Sequence, residues 1–150
     1  MNPYSSGKGM FTSCLEKQQR IISLFSTYTT PEERYQKIIQ LGKQQPPLPS
    51  VLKIPENLVN GCQSRMYLHA REEEGKIYFA SESDALISSG LAALLILVYS
   101  GESAETILRC PPTYLITLGM DTSLSPSRAN GLHSIHLRMK QEALKTLMKS

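Results

Sequence analysis

The chain has 150 residues, of which 41% are hydrophobic and 19% charged, and a formal net charge of +3. That length suits one domain around one core, and the composition is ordinary for a globular chain. The basic residues are spread rather than blocked, so charge does not call for nucleic acid, and the longest apolar run, Leu91 to Tyr99, is far too short for a membrane span.

Met1 to Thr12 is polar and lacks the apolar core of a secretory signal. It reads as a flexible tail over residues 1–12, ahead of a single domain over residues 13–150. Ser13-Cys14-Leu15-Glu16 matches a capping box, and a helix is expected from about Cys14 to Tyr28. Thr30-Pro31-Glu32-Glu33 opens a second helix, with Tyr35, Ile38 and Ile39 inward and Gly42 as its stop. The two are expected to form an αα-hairpin. Pro46, Pro47 and Pro49 then impose an extended connector.

Arg65 to Ala70 and Lys76 to Ala80 read as the strands of a hairpin, and Leu58-Val59 as a further strand. Ser83 or Asp84 is expected to cap a helix reaching Tyr99, and Ser103 a short one reaching Leu108. Pro111-Pro112 breaks the chain before another short helix over Thr113 to Leu118. Ser125-Pro126 begins the last helix, with Leu132, Ile135, Met139, Ala143 and Leu147 on its inner face and Arg138, Lys140, Lys145 and Lys149 in water. Helices, a hairpin, then helices predict an α+β fold: a small antiparallel sheet packed on one face by helices.

The three cysteines, Cys14, Cys62 and Cys110, cannot all pair within the chain, and free thiols in a reducing cytoplasm are the expectation. Cys62 follows Asn60-Gly61, where glycine lets the backbone present a thiol at a loop tip. Arg65 offers positive potential that favours thiolate, the form that attacks sulfur. A half-buried, inert cysteine ending a loop is the alternative. His133 and His136 stand three apart, a spacing a metal site could use with Cys62, but no complete tetrahedral set is visible. A neutral surface pair, with no metal, is the reading taken.

Gly61-Cys62-Gln63-Ser64 resembles the Gly-Cys-Gln-Ser signature of the SufE family of sulfur-acceptor proteins. Three further blocks are similar to that family in the same order: Tyr35 to Gly42, Ser83-Asp84-Ala85 with Gly90-Leu91, and Leu124-Ser125-Pro126-Ser127-Arg128 with Gly131-Leu132. Tyr67 stands where the family often has Trp, and Cys110 to Asp121 departs from its pattern.

The resemblance implies a fold like that of the U-type (IscU-like) iron–sulfur scaffolds. It also implies that Cys62 takes persulfide sulfur from a SufS-type cysteine desulfurase, stimulating that enzyme. The sulfur would pass to a SufBCD-type assembly complex. Pyridoxal phosphate would belong to the desulfurase, with no cofactor of this chain's own and little independent turnover. Gly61, Gln63 and Ser64 would support the loop, and Asp84 and Arg128 are candidates for loop or partner contacts; a helix cap is the alternative for Asp84. A monomer or weak homodimer is expected. A metal-binding scaffold, and a regulatory module that binds a desulfurase without accepting sulfur, are the rival readings. The sister CsdE branch shares these motifs.

Overall fold

The computed structural model describes residues 11–149. Of the expected tail, residues 1–10 lie outside this range, and Phe11 and Thr12 already open the first helix, α1 (Thr12–Phe25). Ser13 does not cap it: its hydroxyl donates instead to Glu102 Oε2 at 2.8 Å. α2 (Pro31–Lys43) begins as expected, with Thr30 and Glu33 closing a full capping box and Pro31 at the first position.

The hairpin strands are longer than their apolar cores suggested: β1 (Met66–Glu73) and β2 (Lys76–Ser83) pair antiparallel, Met66 opposite Ser83 and Glu73 opposite Lys76. Glu74 and Gly75, both at positive φ, form the two-residue turn whose twist matches the strands. Alternation buries Met66 and Leu68 beside Ile77, Phe79 and Ser81 on one face. Leu58-Val59 makes only an isolated bridge to β1. The third strand is the two-residue β3 (Glu102–Ser103), which pairs with β2. It is too short to carry a period-two pattern, which is why the sequence did not announce it.

The helix α3 (Leu86–Tyr99) is apolar nearly all round and runs through the centre, with Gly90 to Ile96, Val98 and Tyr99 buried. α1 and α2 do not lean chiefly on each other, as an αα-hairpin would; both pack on α3. Gly42 explains the contact. It does not stop α2 but lies inside it, where a Cβ would come within 2.6 Å of the Gly90 backbone nitrogen. The two backbones therefore touch with no side chain between them.

Three short helices, α4 (Ala104–Arg109, capped by Ser103), α5 (Thr113–Thr117) and α6 (Met120–Ser123), lead to α7 (Pro126–Lys149). Leu132, Ile135, Met139 and Ala143 face the core, but Leu147 is 47% exposed, because the helix outruns the body there. Arg138, expected in water, is half-buried. It donates to the Leu58 carbonyl at 2.8 Å and to the Glu56 carbonyl, and pairs with Glu142, tying the approach to β1 onto α7.

Candidate functional site

The loop from Asn60 to Arg65 joins the Leu58 bridge to β1, and its path depends on Gly61. That residue has φ 92°, a region L side chains resist, and a Cβ there would collide with the Ser134 hydroxyl on α7. The chain thus turns hard against α7 and delivers the next side chain, Cys62, inward. Its thiol is half-buried against the core and donates weakly to the Gly131 carbonyl, with sulfur and oxygen 3.9 Å apart.

Cys62 lines a cleft of about 400 Å³ between its own loop, the start of α3 and the start of α7. Ser64, Ser88, Ser127 and Arg128 supply polar walls, and Leu91 and Ile135 an apolar back. Ser64 and Ser88 share a 2.6 Å hydrogen bond between hydroxyls, and the Ser83 hydroxyl reaches Ser64 at 3.4 Å. This serine bridge fastens the C-terminal side of the loop to α3.

Burial pushes the Cys62 thiol above its usual range. This corrects the expectation of a thiolate favoured at a loop tip. Arg65 is exposed, and the loss of water on burial is what sets the direction. In this arrangement the thiol is sheltered and protonated at neutral pH.

The other expected site residues divide. Ser64 and Arg128 join Cys62 at the cleft, as does Gln63, which is exposed. The Arg128 guanidinium lies 5.0 Å over the Tyr35 ring and donates to the Tyr35 hydroxyl at 3.2 Å. Among the described residues it has no carboxylate partner. Asp84 is exposed and off the cleft, and it does not cap α3, whose N-cap position is Ala85; the Ala85 N–H is taken by the Ser83 hydroxyl at 3.2 Å.

Of the histidine pair, His133 is exposed as expected, but His136 is half-buried. His136 stacks on Tyr99 with ring centres 5.1 Å apart, and burial lowers its pKa to about 4. Among the described residues no group of three or more His, Cys, Asp and Glu side chains is placed to hold a metal ion.

Sequence reasoning missed Ser88, Tyr35 and Ser134. Ser88-Ser89, two hydroxyls at the head of an otherwise apolar helix, was the available signal for the first. Tyr35 was assigned to the inner face, where it serves, but as the platform for Arg128. The contact of Ser134 with Gly61 joins segments far apart in the chain and has no local signature.

Taken together, this is a small α+β protein that holds one half-buried thiol in a cleft with polar walls. The SufE family, described as an Fe–S metabolism associated domain, matches residues 19–143, and the chain belongs to it. Membership supports a role in iron–sulfur cluster biogenesis. SufE-like protein 1, chloroplastic/mitochondrial, of Arabidopsis thaliana is 39% identical over 129 residues, 85% of this chain but only 35% of that protein. The chain thus spans about a third of that relative's length.

An uncharacterized SufE-like protein of Synechocystis is 36% identical over 83% of this chain and 79% of its own length. One of Rhizobium meliloti is 39% identical over 83% and 92%. The solution structure of a hypothetical protein from Thermus thermophilus superposes with a TM-score of 0.72 at 28% identity, covering 88% of this chain and 96% of that one. Among the described residues no helix is long and apolar enough to cross a membrane.

Proposed function

We propose that Cys62 accepts sulfur as a persulfide from a pyridoxal-phosphate cysteine desulfurase of the SufS type and relays it to a SufBCD-type assembly complex. The observation that carries this reading is the position of Cys62. It is the one thiol of the three that is not fully buried, and it opens on a cleft with polar walls. The chain needs no cofactor of its own for this step, and its free thiols suit a reducing compartment such as the cytoplasm.

The chemistry is thiol–disulfide exchange. The Cys62 thiolate attacks the outer sulfur of the donor persulfide, a new S–S bond forms on Cys62, and the donor cysteine leaves as thiolate. Attack on the inner sulfur would instead give a mixed disulfide and free sulfide. Since the resting thiol is sheltered and protonated, the loop must swing outward before reaction, pivoting at Gly61 and releasing Ser64 from Ser88. Water around the opened thiol then lets it ionise. Closing again would carry the persulfide into the cleft, away from stray thiols. Draining the donor in this way would stimulate the desulfurase.

The scaffold reading asks for about three or four ligands, and among the described residues no such cluster surrounds Cys62. The test is intact mass after incubation with a SufS-type desulfurase, pyridoxal phosphate and cysteine. A reductant-sensitive gain of about 32 Da per sulfur, mapped to Cys62, is expected. Desulfurase stimulation without any gain would replace the relay by the regulatory reading.

A further inference from the structure

Away from the cleft, the other two thiols come together in the core. Cys14 lies in the first turn of α1, and Cys110 ends α4, 0% and 2% exposed. Gln18, one turn beyond Cys14 and itself buried, faces both: its Nε2 is 3.8 Å from the Cys14 sulfur and 3.6 Å from the Cys110 sulfur. The same carboxamide fastens the chain after Cys110. It donates to the Pro111 carbonyl at 2.9 Å and accepts from the Thr113 hydroxyl at 3.0 Å and the Tyr114 N–H at 3.2 Å. A buried cysteine that only fills space needs no second sulfur beside it. Nothing in the passage of sulfur through Cys62 uses this cluster.

We infer that Cys14 and Cys110 are a disulfide-forming pair, a modification site at which a low-molecular-weight disulfide oxidant staples α1 to the loop after α4. The step balances by two exchanges. One cysteine thiolate attacks the oxidant disulfide and expels one thiolate. The second cysteine thiolate then attacks the Sγ of the first cysteine in that mixed disulfide, forming the Cys14–Cys110 bond and expelling the other oxidant thiolate. Two S–H bonds are lost and one S–S bond is gained. The two protons end on the two reduced oxidant thiols.

The closed core sets the kinetics. Burial holds Cys14 near 12 and raises Cys110 as well, so neither ionises appreciably at neutral pH while α1 is seated. Closure therefore runs through an opening that parts α1 from the Pro111 loop, and its rate must level off as oxidant is increased. Once made, the bond closes a ring of roughly 100 residues, which restricts the unfolded chain strongly. Cys62 stays outside the pair, held at the Gly131 carbonyl in its own cleft.

The experiment uses the full chain with no desulfurase present, so its outcome is independent of the sulfur-relay reading. The protein is equilibrated in glutathione disulfide and glutathione, denatured, and alkylated with N-ethylmaleimide. Peptide mapping should find Cys14 and Cys110 lost together, as one cross-linked peptide pair. The mass of that pair should be about 2 Da below the sum of the reduced peptides. The melting temperature should rise by roughly 5–15 °C, and Cys110→Ala should abolish both the cross-link and the rise. Recovery of both cysteines as free thiols from a strongly oxidising buffer would overturn the pair. So would two separate glutathione adducts, or cross-links running to Cys62.

Discussion

Cys62 and the Cys14–Cys110 pair place the same functional group in opposite surroundings. Around Cys62 the walls carry hydroxyls and a guanidinium, the loop is fastened at a few points, and water lies one step away. Around Cys14 and Cys110 a single buried carboxamide faces both sulfurs, and its other bonds are spent on the backbone and Thr113. Burial raises all three thiols, so resting acidity does not separate them. What separates them is the cost of exposure. One needs a short loop to turn at a glycine; the other needs a helix to leave the core.

Substitutions can break that contrast from either side. The largest effect is expected of Cys62→Ser, which should abolish sulfur uptake from a desulfurase in intact-mass assays while Cys14 and Cys110 remain unmodified. Next, Gln18→Ala would leave the Tyr114 N–H without its partner in the core and take one of two donors from the Pro111 carbonyl, which keeps the Thr113 N–H. Urea denaturation should show a loss of about 3 kcal/mol, with the two core thiols alkylated faster than before.

Mild acid should then act through His136. His136 titrates at about 4 in the folded chain against 6.5 when free, through burial first and then Lys140 and His133. The stability it lends is complete above 6.5 and is lost as pH falls toward 4, because the unfolded chain takes up the proton earlier. Near pH 5 the loss is about 2 kcal/mol. His136→Phe, which keeps a ring on Tyr99, should flatten the pH dependence of denaturation while leaving alkylation of Cys62 unchanged.

Two smaller changes sharpen the cleft side. Gly61→Ala forces a side chain into positive φ against Ser134, and should cost about 1–2 kcal/mol and raise Cys62 alkylation without touching the core thiols. Ser88→Ala removes one hydrogen bond that only the seated loop makes. At about 1 kcal/mol, a roughly fivefold faster alkylation of Cys62 is expected, and no change at Cys14 would mark the effect as local.

The fold was largely legible because its punctuation is local. Thr30 and Glu33, Ser103, Pro126 and the closing Gly75 act within a few residues of where they stand, and they end or begin elements where expected. What failed were residues whose partners lie far along the chain. Ser13 looked like a cap but serves Glu102, and Arg138 looked solvated but holds Leu58. Gly42 looked like a stop but makes room for Gly90. At the site, the motif marked Cys62 and its neighbours, and Arg128 proved to share their cleft. The inward setting of the thiol was not legible, since it follows from how α7 meets Gly61. Nor was the meeting of Cys14 with Cys110.

The touching backbones of Gly42 and Gly90 have a consequence for how this architecture can vary. α2 carries Tyr35, the platform of Arg128, and α3 carries Ser88, so that crossing sets the distance between two walls of the cleft. A joint made of main chain against main chain, with only the Ile38 methyl beside it, leaves little side chain through which compensation can act. Substitutions in this chain can thus change the chemistry of the walls residue by residue, while the gauge of the opening stays fixed.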